Sequence, residues 1–423
     1  MTKKHYEWVL GGTPPQILRH SQVKHDLLRD YLVDYFLTLV TAPGQERVQL
    51  TIVDGFCGGG LYRDISGREV PGSPLVILEA VKEAQARVMH ERQRHKPLDF
   101  DVKLICIDID KSAIAHLRYV LDGHGYGDKL RSGAIETLIG DFYELSEPVI
   151  NEVARRSPRA GRALFLLDQY GYDKVPLSTI NSIFKQFKGA EVILNFNVDA
   201  FINFLDEKNL RDFERKTGIS GAISEELFNK KSRPPDFRRI IQSKLHQRIV
   251  QGSGAAYFTP FFIRPERGHG DYWLLHLSQH AKARDVMANT HWKYHNHFAH
   301  HGGAGFEMLS TGYAAKIDDE DKAQREFLFD DTAKKLSIET MLEQIPRYLA
   351  EAKEGITFEA FFAQRINSTP ATKAMIEKTI LQLAQANEIV IANENGKIRT
   401  PKVYIKSKDI IKPYPQKTLF YTR

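Results

Sequence analysis

Residues 48–60 read VQLTIVDGFCGGG, a β-branched run that leads directly into a glycine-rich loop. Glycines at such a position allow a sharp turn and let the backbone approach a ligand closely. The loop contains no lysine, so it lacks the pattern of a loop that cradles a triphosphate. We therefore predict a strand over residues 48–56 that ends at a ligand-binding loop.

Short apolar runs alternate with helical patterns through the first 300 residues. Four further runs lie at residues 102–109, 134–140, 163–167 and 192–196, and two more, at 255–263 and 272–277, predict a hairpin. Near-continuous apolar runs indicate strands buried on both faces, as in a parallel sheet covered by helices. This order predicts an α/β fold with a Rossmann-like, seven-stranded sheet.

Acidic residues stand at the ends of the first four predicted strands: Asp54, Asp108, Asp141 and Asp168. Because ligands of open α/β sheets bind outside the carboxyl ends of the strands, these side chains should surround one crevice. Asp108 is placed to accept both ribose hydroxyls of an adenosine-containing cofactor, and Asp141 with Phe142 to contact its adenine. Each acid alone could be a helix cap, but four at successive strand ends favour a binding site.

Helical patterns flank and interrupt the predicted sheet. Ser21 is placed to cap a helix whose apolar face contains Val23, Leu27, Tyr31 and Tyr35. Residues 199–250 are too long for a loop and predict an inserted helical lobe. Its basic residues are nearly balanced by acids, so both a solvated face and a phosphate clamp fit this lobe.

The chain is predicted to contain two domains. The expected boundaries are 1–315 for the sheet with its insertion, 316–335 for a charged linker, 336–406 for a winged-helix-like domain and 407–423 for a basic tail. Residues 397–423 hold eight basic residues and one acid, whereas the rest of the chain has a net charge of −1. This localised charge favours a nucleic acid, DNA or RNA, as partner, and a merely solvated tail is the alternative.

Three helices and a hairpin in the second predicted domain indicate a winged helix. The helices should begin at Ser337, Thr357 and Thr369, and the hairpin should turn at Asn395-Gly396. Pro346 should kink or end the first helix. The candidate nucleic-acid contacts are Lys373, Lys378, Lys397, Arg399, Lys402 and Lys406.

Composition narrows the class of protein further. The chain has 423 residues, 42% hydrophobic and 26% charged, which excludes disordered and collagen-like classes. Two cysteines, Cys57 and Cys106, are too few for a disulfide framework, and the start of the chain lacks the apolar core of a signal peptide. No apolar run has the length of a membrane span. We expect a soluble, cytoplasmic protein with no membrane partner.

Five histidines form the other cluster in the sequence: His291, His295, His297, His300 and His301. The spacing of the first two would place them on one helix face, as zinc ligands often are. No cysteine or acid lies among them, so a nucleic-acid-facing loop or a capped helix end is favoured. We predict no metal site.

The quoted motifs also carry a family resemblance. The patterns Asp-x-Phe-x-Gly-x-Gly, Ile-Asp-Ile-Asp and Asp-Gln-Tyr-Gly resemble class I methyltransferases that use S-adenosylmethionine. Residues 23–32, 53–62 and 72–74 are similar, more closely, to the three-Cys-motif partner proteins and, more faintly, to large-subunit ribosomal RNA adenine-N6 methyltransferases. The resemblance implies the seven-stranded methyltransferase sheet and a partner protein that carries a three-cysteine motif.

Residue roles follow from the resemblance by position. It implies that Asp54, Gly55, Phe56, Gly58 and Gly60 contact the methionine part of S-adenosylmethionine, Asp108 the ribose, Asp141 and Phe142 the adenine, and that Asp168 and Tyr170 belong to the catalytic site. Adenine amino-methyltransferases carry Asp/Asn-Pro-Pro-Tyr at the fourth strand, where the acid and a backbone carbonyl hold the target amine. Here Gln169, Tyr170 and Gly171 replace the last three residues, so the target atom stays open, although Tyr170 or Tyr172 could stack on a base.

These patterns together predict a methyltransferase that uses S-adenosylmethionine, methylates bases of nucleic acid and works with a three-Cys-motif protein. An exocyclic amine is one candidate target. Asp168 would orient the nucleophile, because methyl transfer from a sulfonium depends on positioning and exclusion of water. Two alternatives keep the fold: a catalytically inactive, nucleic-acid-binding adaptor for the partner, and a ligand-sensing transcription regulator.

Overall fold

The protein is described by a computed structural model. The described residues are 6–94, 96–159, 161–203, 206–221, 237–263, 272–294, 298–299, 304–306, 330–352, 354–399 and 404–415. The chain forms two compact units, Met1–Ala299 and His300–Arg423.

The first unit is an α/β structure. In chain order its elements are α1 (Arg19–Leu39), β1 (Arg47–Asp54), β2 (Leu61–Arg63), β3 (Glu69–Pro71), α2 (Ser73–Glu91), β4 (Asp99–Asp108), α3 (Lys111–Gly123), α4 (Gly127–Arg131), β5 (Ile135–Ile139), α5 (Phe142–Arg156), β6 (Ala163–Leu167), α6 (Leu177–Gln186), β7 (Ala190–Asn197), α7 (Val198–Asn203), α8 (Glu207–Thr217), α9 (Phe237–Ser253), β8 (Tyr257–Ile263), β9 (Tyr272–Ser278), α10 (Ala281–Lys293) and β10 (Phe298–Ala299).

The main sheet has the strand order β10-β8-β9-β7-β6-β1-β4-β5. Strands β5, β4, β1, β6 and β7 are parallel, and β9 lies antiparallel between β7 and β8. Without the two-residue β10, these are the seven strands that the sequence predicts, in the order of the class I methyltransferase fold. The predicted fold class is confirmed, and the sheet reverses its order at β1, where a ligand crevice is expected.

Helix α1 covers part of this sheet with the predicted apolar face. Val23, Leu27, Tyr31 and Tyr35 are all buried. The predicted cap at Ser21 is wrong, because the helix begins at Arg19 and the Ser21 backbone N–H already bonds to the Leu18 carbonyl within the first turn.

Helices α7, α8 and α9 occupy the region between β7 and β8, where the sequence predicts a helical lobe. Phe201 and Phe213 pack with ring centroids 4.2 Å apart, next to Phe196 of β7. Residues 222–236, which include some of the basic residues of the predicted lobe, lie outside the described residues. Aromatic burial therefore anchors this lobe to the sheet.

The second unit contains three helices and a small sheet. Its elements are α11 (Asp331–Glu351), β11 (Ile356–Thr357), α12 (Phe358–Arg365), α13 (Lys373–Gln385), β12 (Ile389–Ala392), β13 (Ile398–Arg399) and β14 (Ile410–Pro413). The sheet order is β11-β14-β12-β13. The predicted hairpin is present, and Gly396 at its tip has a positive φ of 77°, which favours glycine.

Helix starts in this unit differ in part from the prediction. Thr357 caps α12, as predicted, by accepting from the Ala360 N–H. Ser337 is no cap: α11 begins earlier, at a cap formed by Asp330, and buries Ser337. Thr372 caps α13 instead of Thr369, whose hydroxyl accepts from the Ala371 N–H before the helix starts.

Two further expectations for this unit are corrected. Of the two predicted effects of Pro346, the end of the helix is wrong, because α11 continues to Glu351, and the kink stays a prediction. Residues 410–413, assigned by the sequence to a basic tail, form β14 in the middle of the sheet. Ile411 pairs with Ile391 on one side and Ile356 on the other and is fully buried. The basic neighbours of this short apolar pair hide its strand character in the sequence.

No helix in the described part of the chain is both long and apolar enough to span a membrane.

Candidate active site

The glycine loop is tied to the end of β4 by backbone hydrogen bonds to a carboxylate. The Gly58 N–H donates to Asp108 Oδ2 over 2.9 Å, and the Asp110 N–H donates to Asp108 Oδ1 over 2.8 Å. Gly58 and Gly60 have φ values of 60° and 82°, a region that side-chain-bearing residues rarely adopt. Asp108 thus fixes the loop through both of its carboxylate oxygens.

Trp8 packs on the outer face of this loop, which the sequence did not indicate. A Cβ atom at Gly59 would lie 2.2 Å from the Trp8 ring, and the Trp8 Nε1–H donates to the Leu61 carbonyl over 3.2 Å. Tyr62 packs edge-on against Trp8, with ring centroids 5.6 Å apart. Gly59 is therefore required by an aromatic neighbour.

Asp54 lies fully buried at the end of β1. Its Oδ1 accepts from the Phe56 N–H over 3.3 Å, and its Oδ2 has no hydrogen-bond partner among the described residues. Burial raises the pKa of Asp54 to about 7, against the opposing effect of hydrogen bonds from Ser73 and Phe56. The Asp54 carboxyl is thus a buried polar group, and the protein provides hydrogen bonds for only one of its two oxygens in the described residues.

The predicted adenine contacts are placed in two different ways. Asp141 caps α5 by accepting from the Tyr143 N–H over 2.8 Å. Phe142 is buried to 1% exposure, and a Cβ atom at Gly55 would lie 3.0 Å from its ring, so it does not present an open face. Ile109, after Asp108, and Tyr143 are 71% and 54% exposed instead. These two side chains, missed from the sequence, are exposed next to the ends of β4 and β5.

Asp168, after β6, forms an ion pair with a lysine of α1. Lys24 Nζ lies 2.5 Å and 2.6 Å from the two carboxylate oxygens, and the side chains of Lys24 and Asp168 are 11% and 27% exposed. Pairing at low exposure neutralises the acid and fixes its orientation. The geometry agrees with Asp168 as an orienting group.

A cavity of about 20 Å³ adjoins this ion pair, which is room for about one water molecule. Its polar lining residues are Lys24, His25, Ser73, Asp168 and Asn195, and its apolar ones are Leu27, Leu28, Leu166, Ile193 and Leu274. The polar residues come from α1, α2, β7 and the segment after β6. The carboxyl edge of the sheet therefore holds a small, mostly enclosed polar site.

Neither predicted stacking tyrosine lies at this cavity. Tyr170 is 69% exposed and is not among the lining residues described. Tyr172 packs into the aromatic cluster of the helical lobe, with ring centroids 5.3 Å from Phe201 and 5.7 Å from Phe213. Tyr172 thus anchors the lobe to the sheet.

The sequence reasoning missed four polar residues of the cavity: Lys24, His25, Ser73 and Asn195. The first two lie in the run 23–32 that carries the family resemblance, and an acid at a strand end is expected to need a cation nearby, so a signal for Lys24 existed. Asn195 follows three apolar residues of β7 and gives no local signal.

The winged helix has only some of its predicted nucleic-acid contacts in exposed positions. Lys373 Nζ lies 5.5 Å and 5.9 Å from the ring centroids of Phe358 and Phe362. Arg399 Nη1 lies 2.6 Å from Oδ1 of the buried Asp409. The remaining described candidates, Lys378, Lys397 and Lys406, are exposed, and Lys402 lies outside the described residues.

The histidine cluster is only partly described. His291 is buried in α10, and its Nδ1 donates to the Met287 carbonyl over 2.8 Å. The other four histidines lie outside the described residues. Within the described ranges, no group of three or more metal-ligating side chains comes together.

Comparisons with known proteins find a domain family that is similar to part of the second unit. Residues 312–396 match the family model of the GMT-like wHTH domain, a winged helix-turn-helix. This confirms the predicted winged helix. No curated protein matches the chain.

Solved structures resemble the chain over about three fifths of its length. The bifunctional kinase-methyltransferase WbdD has 10% sequence identity and a TM-score of 0.31, covering 61% of this chain and 39% of its own. An rRNA methylase from Streptococcus thermophilus has 11% identity and a TM-score of 0.28, covering 62% and 97%. This chain thus spans about two fifths of the WbdD structures. At these TM-scores the likeness carries no functional argument, and the fold rests on the strand order.

Proposed function

We propose that this protein is a methyltransferase that uses S-adenosylmethionine and acts on bases of nucleic acid. The observation that carries the proposal is the hydrogen bond between the Gly58 N–H and Asp108, which joins the glycine loop after β1, at the switch point of the sheet, to an acid at the end of β4. Ligands of open α/β sheets bind at that point. The ion pair of Lys24 and Asp168 lies at the carboxyl edge of the same sheet.

The described residues fit an adenosine-containing cofactor. Asp108 places a carboxylate at the end of β4 beside the glycine loop, Ile109 and Tyr143 are exposed next to the strand ends, and Asp54 Oδ2 has no hydrogen-bond partner among the described residues. S-adenosylmethionine would supply an electrophilic methyl group on its sulfonium. The chain's own contribution is to hold and orient the accepting atom beside Asp168 and to exclude water.

The cofactor proposal is tested by isothermal titration with S-adenosylhomocysteine. Asp108→Asn, which keeps one acceptor oxygen, should weaken binding about tenfold, because a charged hydrogen bond is worth about 1.5–3 kcal/mol. Asp99→Ala is the matched control, since Asp99 opens the same strand and pairs on the surface with Arg47. Absence of binding at millimolar ligand would remove the enzyme and leave the adaptor.

The nucleic-acid part of the proposal is supported by the winged helix and its exposed lysines. Replacing Lys378, Lys397 and Lys406 with Gln should reduce the slope of log affinity against log salt by about three on duplex DNA, at about 0.9 for each phosphate contact. Substitution is the suitable change, since truncation after residue 396 would remove β13 and β14.

Three exposed cations of α11 provide the control for that experiment. Replacing Lys334, Lys335 and Arg347 with Gln removes the same charge from a different helix of the same unit. Equal changes in slope for both triple variants would show only a loss of net charge and would refute the assignment of the α13 and wing lysines as contacts.

A catalytically inactive adaptor is the second candidate. It is favoured by one observation: Lys24 engages both oxygens of Asp168, which leaves the acid fewer lone pairs for a substrate. The partnership with a three-Cys-motif protein is part of both proposals and rests on the resemblance of residues 23–32, 53–62 and 72–74. Cys57 and Cys106 are buried and free of disulfides, which agrees with the cytoplasmic location that we propose.

A further inference from the structure

Asn195 presents a buried hydrogen-bond acceptor that the protein does not use. The residue is 3% exposed in β7, and its Nδ2 donates to the Gln169 carbonyl over 3.3 Å. Because that bond sets the orientation of the amide, Oδ1 is the atom that remains. Asn195 Oδ1 is buried and has no hydrogen-bond partner among the described residues, although its side chain lines the cavity beside Asp168.

His25 adds a second unused acceptor at the same cavity. Its Nδ1 is buried without a partner in the described part of the chain. The ring also bonds to the backbone of Pro71, which can only accept, so the other ring nitrogen, Nε2, carries the hydrogen. Burial lowers the pKa of His25 to about 4, and the remaining influences of Asp168, Lys24 and Pro71 do not reverse this. The ring is therefore neutral at pH 7, and Nδ1 offers a lone pair.

The size and charge of the cavity define what it can take. Its volume of about 20 Å³ admits a group as small as a water molecule but not a ring. Lys24 and Asp168 compensate each other, so the cavity does not call for a charged occupant. Two unused acceptors require a group that donates two hydrogen bonds. A neutral amino group meets all three conditions and would take the place of a single water molecule, whereas an ammonium would lack a counter-charge and a methyl group would leave both acceptors unsatisfied.

We propose that this cavity receives the exocyclic amino group of a nucleobase, with Asn195 Oδ1 and His25 Nδ1 accepting its two N–H bonds. The inference rests on the proposed function, because the winged helix is what points to a nucleobase as the bearer of the amine. The carbonyl of Gln169 already accepts from Asn195 Nδ2, which holds the amide with Oδ1 as its remaining acceptor. Asn195 and His25 are then residues that recognise the substrate, and the ring of the base lies outside the cavity.

The test uses pairs of nucleosides that differ only in the amine. Adenosine is compared with purine riboside, and cytidine with the riboside of 2-pyrimidinone, by titration of the full-length protein at millimolar concentrations. The amine-bearing member of at least one pair should bind about tenfold more tightly, because its absence leaves buried acceptors unpaired. Equal affinity within both pairs, or no binding of any of the four, would overturn the proposal.

Variants of the cavity residues test whether the preference for the amine arises at this cavity. Asn195→Ala should abolish the discrimination, and His25→Phe, which keeps a ring of similar shape, should do the same from the other side of the cavity. Asn181→Ala is the matched control, because Asn181 Nδ2 also donates to a backbone carbonyl, that of Gly252, over 3.3 Å but outside the cavity. Thermal melting of each variant identifies any that does not fold. Retained discrimination in a folded Asn195→Ala protein would contradict the assignment.

Titration with S-adenosylhomocysteine separates this proposal from the proposed function. Amine discrimination without binding of S-adenosylhomocysteine would refute the methyltransferase and keep the amine site. If Asn195→Ala weakens S-adenosylhomocysteine but leaves nucleoside discrimination intact, the cavity holds the amino group of the cofactor, and the nucleobase assignment is wrong.

Discussion

Replacing Asp54 with Asn should stabilise the protein above pH 7. The carboxyl has an ordinary pKa of 3.8, which burial raises to about 7 in the folded chain. Each pKa unit corresponds to about 1.4 kcal/mol, so ionised Asp54 should destabilise the fold by about 4 kcal/mol at most. The Asn side chain carries no charge and can keep the hydrogen bond from the Phe56 N–H.

The sign of the pH dependence follows from proton binding. Below pH 3.8 the carboxyl is protonated in both states and has no effect. Between pH 3.8 and about 7 the folded state holds more protons than the unfolded state, so the free energy of unfolding falls as pH rises, and it levels off above pH 7. The Asp54→Asn variant should lack this decline.

Urea denaturation at pH 5, 6, 7 and 8 measures the difference directly. Wild type and Asp54→Asn should diverge steadily with pH, and the variant should be more stable at pH 8. Asp101→Asn is a control of opposite sign, because hydrogen bonds from Arg156 and Gln49 outweigh burial and lower the pKa of Asp101. That control should lose stability at pH 8. Parallel curves for wild type and Asp54→Asn would refute the argument that Asp54 is an uncompensated buried acid.

Three further expectations concern the loop, the ion pair and the wing. Lys24→Met and Asp168→Asn should each cost about 1–2 kcal/mol, and a double-mutant cycle by denaturation should show a favourable coupling, since the pair is mostly buried. Gly59→Ala should displace Trp8, with a red-shifted tryptophan emission and a lower melting temperature, because the added Cβ would lie 2.2 Å from the ring. Arg399→Gln should destabilise the second unit by about 1–3 kcal/mol in thermal melts by leaving a buried carboxylate unpaired.

The sheet could be predicted because each of its main strands is an apolar run, most of which end at a polar residue or a glycine in the sequence. Strand β6 has the predicted bounds, Ala163–Leu167, since all five residues are buried. The loop after β1 and the hairpin of the wing could be predicted for the same reason, because their glycines lie next to the strands that they connect. Strand β14 could not be predicted, because two isoleucines among lysines have too little apolar length to stand out, and only pairing with β11 and β12 makes them a strand.

The candidate site was predictable only where the chain itself places residues at strand ends. Asp54, Asp108 and Asp168 lie at the carboxyl edge of the sheet, as alternating strands and helices require. Lys24 and Trp8 come from segments ahead of the sheet, and their contacts depend on tertiary packing that no local pattern encodes. Phe142 shows the converse: its motif position suggested a ligand contact, but burial under Gly55 gives it a packing role.

Packing alone explains some of the glycines in the loop after β1. The glycines of the loop have reasons of their own, since Gly59 faces Trp8 and a Cβ at Gly60 would lie 2.6 Å from Leu117. A glycine loop of this kind would suit an adaptor as well as a methyltransferase. Asp54 Oδ2 and Asn195 Oδ1 are different, because each is a buried acceptor without a protein hydrogen-bond partner in the described residues. A cofactor or an amine bound at the carboxyl edge of the sheet can pair with these atoms in place of water, and the methyltransferase requires a binding site of this kind whereas the adaptor does not.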